Sequence, residues 1–372
     1  MKKLLILSVS AGAGHLRAAE AIKLTCQKFF PDMNAVHIDV MELVSKFFRK
    51  IYAESYVKII NTDPALWGYL YDRMDRIPQK SPISRFIRTL DRLNLKKVKK
   101  FIEDFEPDAI ICTHFLPVEL LSRMKRKGKF IRPVWIQITD FDIHTLWMHN
   151  WVNGYFCPSE EVALRIIDRG VSSDRVFVTG IPIMPAFGEK YDRATCACEL
   201  GISPEKTTFL MMSGGYGVKG TEQITEALLS LRGDFQIIAL AGKNEKLLES
   251  LKRMAVDNPK RLFPLGFTNT IERVMSASDL AITKAGGLTI SECLAVGLPM
   301  ILVSTIPGQE ERNATYLLEN GAALRAYDPT GLKYRIGILL ESPEKLKTLR
   351  QNSMRLSRPN AALDVLRYLL ND

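Results

Sequence analysis

The sequence predicts an α/β protein with two doubly wound, parallel sheets. Its 372 residues are long for one domain, so two domains are the natural expectation. The chain opens as a strand over Lys3–Val9, a helix over Arg17–Phe29 and a strand over Ala35–Val40, the βαβ unit that begins a doubly wound sheet. The apolar run Thr207–Met212 starts a second α/β series. We expect these segments: a first domain over 1–186, a second over 187–345, and a helical segment over 346–372 that crosses back to the first.

Short apolar runs predict the remaining strands. In the first half they are Asp108–Cys112, Val134–Ile138, Gly154–Pro158 and Val176–Thr179, and in the second half Gln236–Ala241, Leu262–Leu265, Leu280–Thr283 and Met300–Val303. The stretch Gly180–Pro185 is rich in glycine and proline, which is typical of a hinge between domains. Residues Lys333–Asp372 have a helical pattern.

Composition indicates a cytoplasmic protein with a sizeable core. Hydrophobic residues make up 47% of the chain and charged residues 25%. Of the six cysteines only Cys196 and Cys198 are close together, and no second pair completes a zinc site, so reduced thiols are expected. The N-terminal apolar run is too short for a signal peptide, and no run is long enough to span a bilayer.

The net charge of +10 predicts an anionic partner. Nucleic acid and an anionic membrane surface both suit it, although a soluble enzyme that is merely basic is the alternative. Seven Lys or Arg residues lie between Ser84 and Phe101 against the single acid Asp91, and apolar residues share one helical face. That pattern is typical of a helix lying on an anionic bilayer, or of a surface helix with a solvated charged face. No motif of a nucleic-acid reader is present, so no nucleic-acid partner is expected.

The turn at Ser10–His15 separates the first strand from its helix. Gly12 and Gly14 supply two glycines of the dinucleotide-binding fingerprint, but Arg17 stands in place of the third, so NAD binding is not predicted. His15 lies at the mouth of the helix. A histidine there is suited to act as general base on an alcohol, although a capping or packing histidine is the alternative.

Polar residues follow the strands that end near 112 and 138, which predicts a site at the carboxyl edge of the first sheet. Asp140 and Asp142 form a short acidic pair of the kind that binds divalent metal, but the motif is too short to predict a metal site. His144 and His149 are badly spaced for zinc. Trp147 is either an apolar wall for a ligand or part of the core.

The stretch Lys284–Asn313 carries most of the functional signal. Gly286 and Gly287 follow a strand, Thr289 stands ahead of a helix over Ile290–Val296, and Glu292 is expected in its first turn. Glycines allow close approach of the backbone, and free N–H groups at a helix start bind anions. A carboxylate one turn in suits ribose hydroxyls. An ordinary turn with a polar loop is the alternative.

Two further loops suit the same ligand. Ser213–Gly217 is a glycine turn without the residues of a Walker loop, and its amides are suited to cap a diphosphate. Gln309, Glu310 and Asn313 follow the strand Met300–Val303, and their amide and carboxylate groups suit the hydroxyls of a sugar.

Several segments carry a family resemblance that runs over nearly the whole chain. They are SAGAGH, TDFDIHTLWMHNWVNGYFCPSEEVA, GIPI, SGGYGVKG, LGFTNTIERVMSASDLAITKAGGLTISE and PGQEERN, of which the last two are the most specific. The chain resembles the diacylglycerol glycosyltransferases of the family 28 type, which include monogalactosyldiacylglycerol synthases and processive diacylglycerol glucosyltransferases. It is more distantly similar to the N-acetylglucosaminyltransferase of peptidoglycan lipid synthesis. Ala11 and Ala13 stand where the group often has glycine.

The resemblance implies the GT-B fold, in which two Rossmann-like domains face a cleft. It implies an acceptor site on the first domain and a UDP-sugar site on the second. It implies Gly14 among the residues that bind the UDP-sugar. The other donor residues that it implies are Ser213, Gly214, Gly215, Gly217, Lys284, Gly286, Gly287 and Thr289 around the diphosphate, Glu292 at the ribose, Phe267 at the uracil, and Gln309, Glu310 and Asn313 at the hexose. The residues expected to face acceptor or membrane are Phe47, Phe48, Trp67, Arg85, Arg88 and Trp147.

The implied reaction moves a hexose from UDP-glucose or UDP-galactose to diacylglycerol with inversion, giving a β-glycoside. His15 is the expected base, with Asp140 as its partner or substitute, and neither a metal nor a cofactor is expected. The protein would lie peripherally on anionic lipids at the inner face of the cell membrane. A soluble or peptidoglycan-type acceptor, and a non-catalytic UDP-sugar sensor, are the alternatives. The sequence leaves open which sugar is used and how many are added.

Overall fold

The computed structural model describes residues 1–10, 12–45, 97–126, 128, 132–212, 220–303 and 308–371. The chain divides into two compact units. Unit 1 is Met1–Pro185 with Ile306–Gln309 and Asn360–Asp372, and unit 2 is Ala186–Thr305 with Glu310–Pro359. Each unit is built on a six-stranded parallel sheet flanked by helices, which confirms the predicted α/β class.

The elements of unit 1 alternate along the chain. They are β1 (Lys3–Ser8), α1 (Ala13–Phe29), β2 (Asn34–Asp39), α2 (Val40–Leu43), β3 (Ala109–Cys112), α3 (Phe115–Arg126), β4 (Val134–Gln137), β5 (Gly154–Cys157), α4 (Glu160–Asp168) and β6 (Val176–Val178). Residues 97–105 are also helical. The strand order is β2-β1-β3-β4-β5-β6, and every neighbouring pair is parallel.

Unit 2 repeats the plan. Its elements are α5 (Arg193–Glu199), β7 (Thr207–Met212), α6 (Thr221–Leu229), β8 (Phe235–Gly242), α7 (Glu245–Val256), β9 (Leu262–Gly266), α8 (Ile271–Ser276), β10 (Leu280–Thr283), α9 (Gly287–Ala295), β11 (Met300–Leu302), α10 (Gln309–Glu319), β12 (Ala323–Arg325), α11 (Pro329–Glu341) and α12 (Pro343–Arg355). The strand order is β12-β11-β10-β7-β8-β9, again parallel throughout.

The order of strands reverses once in each sheet, between β1 and β3 in unit 1 and between β7 and β10 in unit 2. Ligands of doubly wound sheets bind at such switch points, outside the carboxyl ends of the strands. His15 lies in the first turn of α1, which follows β1, and Thr113 directly follows β3. The loop after β10 carries Lys284 and Gly286. The sheet order therefore brings the predicted residues to the position where each unit is suited to bind a ligand.

The strands are continuous apolar runs because both faces of each sheet are covered by helices. In β1, Leu4 to Ile6 have no exposed surface, with Leu4 and Ile6 packing on one side and Leu5 and Leu7 on the other. No helix within the described residues is long and apolar enough to cross a membrane.

The last helix, α13 (Ala361–Asn371), packs against α1 in unit 1. Its Val365, Leu366 and Leu369 are buried in the same core as Leu4 and Ile22. The predicted crossing segment 346–372 therefore differs from the structure, since most of α12 falls within it and α12 belongs to unit 2. The predicted helical region Lys333–Asp372 is covered by parts of three helices, with breaks at Ser342 and around Pro359.

Candidate active site

His15 is the third residue of α1, which begins at Ala13 rather than at the predicted Arg17. Gly12 is the N-cap and has φ of 129°, a backbone conformation that suits glycine. The early start was missed because no side chain caps this helix, so the sequence carries no capping signal. His15 consequently projects from the first turn of the helix. Gly14 is half-buried beside it.

The ring of His15 is fixed by two threonines at the ends of neighbouring strands. Its Nδ1 lies 2.8 Å from the carbonyl oxygen of Thr113 and 2.9 Å from Oγ1 of Thr139. The hydroxyl of Thr113 also donates to the carbonyl oxygen of His15 at 3.0 Å. A carbonyl only accepts, so Nδ1 carries the proton and Nε2 carries the lone pair.

The surroundings keep this imidazole neutral. Burial lowers the pKa of His15 to about 4, against a smaller opposing effect of the hydrogen bond to Thr113. The ring of His114 lies edge-on at 4.7 Å, and burial, with a smaller contribution from His15, lowers the pKa of His114 well below its usual value. Both rings are therefore uncharged at neutral pH, the state that a general base requires.

Trp147 belongs to the core of unit 1. It is 4% exposed, and its ring lies 6.4 Å from that of His15 and 5.9 Å from that of Phe115. Of the two roles considered for Trp147, packing is the one the structure shows, and contact with a membrane is excluded by its burial. It forms an apolar support behind the histidine pair.

The acidic residues after β4 are not hydrogen-bonded to His15. Thr139, the residue before Asp140, makes that contact. Asp140 is half-buried and Asp142 is buried. The described part of the chain contains no group of three or more His, Cys, Asp or Glu side chains that would hold a metal ion.

A second hydrogen-bonded histidine ties three elements of unit 1 together. His37 Nε2 lies 2.7 Å from Ser8 Oγ, and His37 Nδ1 lies 3.2 Å from Glu20 Oε2. The order of serine, histidine and acid matches that of a hydrolase triad. Ser8 has no exposed surface, however, so a substrate cannot reach it. The chain of hydrogen bonds joins β1, β2 and α1.

In unit 2, α9 begins at Gly287, with Gly286 as N-cap and without a side-chain cap. The N–H groups of its first turn are therefore not used by a capping side chain, as an anion site requires. The helix starts earlier than predicted, so Thr289 lies within the first turn. Glu292 lies in the second turn rather than the first and is buried, with 6% of its surface exposed.

The loop between β10 and α9 is braced from α10. Asn313 has no exposed surface, and its Nδ2 donates to the carbonyl oxygen of Ala285 at 3.0 Å. Lys284 Nζ lies 3.7 Å from Glu310 Oε1. Three residues predicted for the donor site are thus brought together, but Asn313 holds the loop and presents no surface to a sugar. Gln309 is the half-buried first residue of α10.

Phe267 follows β9 and is 58% exposed, and the Lys243 ammonium lies 5.1 Å from the centroid of its ring. It lies at the carboxyl edge of the sheet, as Gly286 does.

Several predicted residues lie outside the described part of the chain: Ser213, Gly214, Gly215, Gly217, Phe47, Phe48, Trp67, Arg85 and Arg88.

Of the predicted basic segment between Ser84 and Phe101, the structure describes residues 97–101, which belong to a helical stretch over 97–105. Val98 and Ile102 are buried in the core of unit 1, whereas Lys97 and Lys100 are exposed. This part of the helix is therefore amphipathic, with its apolar face packed on the unit and its lysines in solvent.

The functional residues that sequence reasoning missed are Thr113 and Thr139. Their signal was visible, since both are polar residues directly after buried strands. Nothing in the sequence indicates which polar side chain of such a loop turns towards His15.

Two family models match the chain in order. Residues 15–183 match the monogalactosyldiacylglycerol (MGDG) synthase family, and residues 219–362 match the glycosyltransferase family 28 C-terminal domain. The chain is 29% identical over 369 residues to a processive diacylglycerol beta-glucosyltransferase of Bacillus pumilus, covering 98% of this chain and 94% of the relative. It is 27% identical over 375 residues to the enzyme of the same name from Bacillus subtilis, covering 100% and 95%.

Solved structures with the same fold are more distant in sequence. MurG of Acinetobacter baumannii has a TM-score of 0.68 at 15% identity, with both chains fully covered. A UDP-glucosyltransferase of Polygonum tinctorium has a TM-score of 0.66 at 15% identity, covering 99% of this chain and 98% of that one. The fold is that of the GT-B glycosyltransferases. In the order of its two matched regions and over nearly its whole length, the chain is similar to the diacylglycerol glycosyltransferases.

Proposed function

We propose that this protein is an inverting glycosyltransferase that moves a hexose from a UDP-sugar to diacylglycerol and makes a β-glycosyl diacylglycerol. The observation that carries the proposal is the similarity to processive diacylglycerol beta-glucosyltransferases over 98% of the chain. The neutral imidazole at the switch point of unit 1 supports it, because transfer to an alcohol needs a base that is unprotonated at neutral pH.

His15 takes the proton of the acceptor hydroxyl at Nε2. The oxygen of that hydroxyl forms a bond to the anomeric carbon, and the bond from that carbon to UDP breaks, so UDP leaves with the electron pair. Attack from the face opposite UDP turns an α-linked donor into a β-glycoside. Asp140 remains the second candidate for the base.

Unit 2 binds the donor. The free N–H groups at the start of α9 and the positive end of its dipole hold the diphosphate, with Thr289 and Lys284 beside them. The same groups stabilise the charge on departing UDP. For the glycine-rich sequence Ser213–Gly217, which lies outside the described residues, we propose the same role.

The rest of the donor is held by side chains around this helix. Glu292 accepts hydrogen bonds from the ribose hydroxyls, and the exposed ring of Phe267 lies beside the uracil. Gln309 and Glu310 bind the hexose. Asn313 positions the loop through its bond to Ala285.

Glucose is the hexose we propose. The relatives that match the whole chain are named as glucosyltransferases, whereas the galactose-named family model matches only residues 15–183, which belong to unit 1. The donor is bound by the other unit in this proposal, so the full-length relatives are the better guide to the sugar.

We also propose that the protein works as a peripheral protein on anionic lipid at the inner face of the cell membrane. Lys97, Lys100, Lys125, Arg126 and Arg132 are exposed on unit 1, and the net charge is +10. Each basic side chain near an anionic surface contributes about 1 kcal/mol. Binding to vesicles should rise with the fraction of phosphatidylglycerol and fall with salt. Binding that ignores both would refute this part of the proposal.

The test is a matrix of UDP-glucose, UDP-galactose and UDP-N-acetylglucosamine against diacylglycerol in mixed micelles, with products identified by mass spectrometry. We expect glucosyl diacylglycerol, and the number of hexoses per product follows from the same spectra. Galactosyl diacylglycerol would correct the sugar. Transfer only to a soluble or isoprenoid-linked acceptor, or UDP binding without any transfer, would overturn the proposal in favour of the two alternatives.

A further inference from the structure

The strand that ends at Gln137 delivers a threonine to the candidate base. Thr139 is 5% exposed, and its Oγ1 lies 2.9 Å from Nδ1 of His15. The other ring partner at Nδ1 is the carbonyl oxygen of Thr113 at 2.8 Å, a backbone group that no side-chain substitution removes. Thr139 is therefore the side chain through which the state of the ring can be changed.

Two hydrogen-bond acceptors face Nδ1 of His15. The Nδ1 proton is shared between the Thr113 carbonyl and the Thr139 hydroxyl oxygen, which fixes both the tautomer and the rotation of the ring. Neither acceptor is a carboxylate. The ring is thus oriented without a negative charge that would favour the imidazolium before substrate arrives.

We propose that Thr139 is a positioning residue, whose hydroxyl oxygen and the Thr113 carbonyl together hold His15 with its proton on Nδ1, so that Nε2 takes the proton of the acceptor alcohol. This inference rests on the proposed function for its kinetic consequence, but its structural content stands apart from it. As Nε2 gains a proton, the Nδ1–H becomes a stronger donor, and both acceptors stabilise the imidazolium that forms.

The test compares Thr139→Val, which removes the acceptor at nearly constant shape, with Thr139→Ser, which keeps it. The control is Thr179→Val in the same unit. Thr179 is 2% exposed, and its hydroxyl donates to the carbonyl oxygen of Gly180 at 3.2 Å, with no hydrogen bond to His15. Thermal melting of all three variants reports any general loss of stability.

For turnover we expect Thr139→Val to lower kcat about 10- to 100-fold, as expected from losing one hydrogen bond to a group that becomes charged. The KM for the UDP-sugar should not change, because the donor binds on unit 2. Thr139→Ser should recover kcat to within about threefold, and Thr179→Val should stay within about twofold of the parent. A merely structural role would not separate kcat from KM or valine from serine.

For the ring itself we expect nitrogen NMR of histidine-labelled protein to show His15 with Nδ1 protonated and Nε2 unprotonated. The chain has five histidines, and His15→Ala assigns the signal. Thr139→Val should leave the proton on Nδ1, because the Thr113 carbonyl remains, but it should lower the pKa of His15 further, because one acceptor that stabilises the imidazolium is lost. Wild-type kcat with an unchanged pKa of His15 in Thr139→Val, or a proton on Nε2 in the parent, would overturn the inference. If the parent transfers no hexose, the proposed function fails, and the NMR arm still decides on Thr139.

Discussion

At the scale of the residue, the site depends on a histidine that stays neutral. His15 is held at Nδ1 by Thr113 and Thr139, and burial keeps its pKa at about 4. A base with so low a pKa is weak, but it is unprotonated over the whole physiological range. Its hydrogen bonds compensate in part, because they stabilise the imidazolium that forms when Nε2 takes a proton.

This pKa predicts that a plot of kcat/KM against pH shows no fall near pH 6.5, where an ordinary histidine base becomes protonated. His15 is already deprotonated well above pH 4, so kcat/KM should change less than about twofold between pH 5.5 and 7.5. A histidine with the ordinary pKa of about 6.5 would lose about tenfold over the same interval. The measurement is the initial rate of hexose transfer at low donor concentration across that range. A limb centred near pH 6.5 would contradict the environment derived for His15.

A site residue could be predicted from the sequence where a local pattern marks it, but not where its role depends on contact with a distant part of the chain. His15 followed a glycine turn after the first strand, which is a local pattern. Thr139 acts across 124 positions of the chain, and only the folded sheet brings it to His15. Asn313 was predicted to face a sugar, but it turns inward to Ala285, because the carbonyl there needs a buried donor.

At the scale of the element, the proposed donor site depends on the start of α9 in unit 2. Gly286 has φ of −74° and ψ of 132°, which any residue adopts. A Cβ built on Gly286 would meet no other atom within 4 Å. The fold itself therefore does not require glycine at this position, and a bound phosphate would.

Gly286→Ala should leave the free energy of unfolding within about 1 kcal/mol of the parent, the typical effect of alanine at an N-cap. It should weaken UDP binding at least about tenfold, because the methyl group occupies the approach of the diphosphate. Calorimetric titration with UDP measures this. The control is Gly337→Ala in α11, where a Cβ also meets nothing within 4 Å. Equal UDP affinities in the two variants would show that the diphosphate does not bind at the start of α9.

Asn313 allows a second comparison within one helix. Its amide donates to Ala285 with no exposed surface, whereas Asn320, one residue after α10 ends, donates to the carbonyl oxygen of Tyr316 at 2.8 Å in an exposed position. Asn313→Ala should cost about 1–3 kcal/mol, because it leaves a buried carbonyl unpaired, and it should weaken UDP binding by loosening the loop.

Asn320→Ala should change stability by less than about 0.5 kcal/mol and leave UDP binding alone. Urea unfolding with and without UDP measures both quantities for each variant. If Asn313→Ala behaved as Asn320→Ala does, the loop after β10 would not depend on this brace.

Strands, which are marked by apolar runs, were predicted well, whereas the first residues of helices were predicted less well. Strands β1 to β11 were found within one or two residues, because parallel strands covered on both sides must be continuously apolar, whereas the short edge strand β12 was not predicted. The starts of α1 and α9 were placed too late, since both follow glycine N-caps that offer no capping side chain. For α9 this put Glu292 a turn too early in the predicted helix.

At the scale of the whole molecule, the last helix of the chain, α13, completes the core of unit 1. Leu366 of α13 has no exposed surface and packs with Leu4, Ile6 and Ile22. Two compact units with separate cores predict that damage to one core leaves ligand binding by the other intact.

Leu366→Ala should cost about 2–5 kcal/mol and lower the melting temperature of unit 1, because it opens a cavity in a packed core. UDP affinity, measured below that transition, should equal that of the parent. Leu370→Ala in the same helix is the control, since Leu370 is 37% exposed and should be nearly neutral. Loss of UDP binding in Leu366→Ala below its melting transition would show that the donor site is not confined to unit 2.

The two sheets could be predicted because the sequence of each half opens with a strand pattern, a glycine-rich stretch and a helix pattern. The return of α13 to unit 1 was expected in outline, but its point of departure near Pro359 was not. Helices α12 and α13 follow one another within the predicted helical region, and only the folded structure shows which unit each one packs on.

The most direct test of the central claim is the configuration of the product made at pH 7 from α-linked UDP-glucose and diacylglycerol. Proton NMR of the purified glycolipid should show only the β-anomer. In His15→Ala the rate should fall about 10²- to 10⁴-fold while UDP affinity stays that of the parent. An α-anomer, or full turnover without His15, would contradict inverting transfer with His15 as its base.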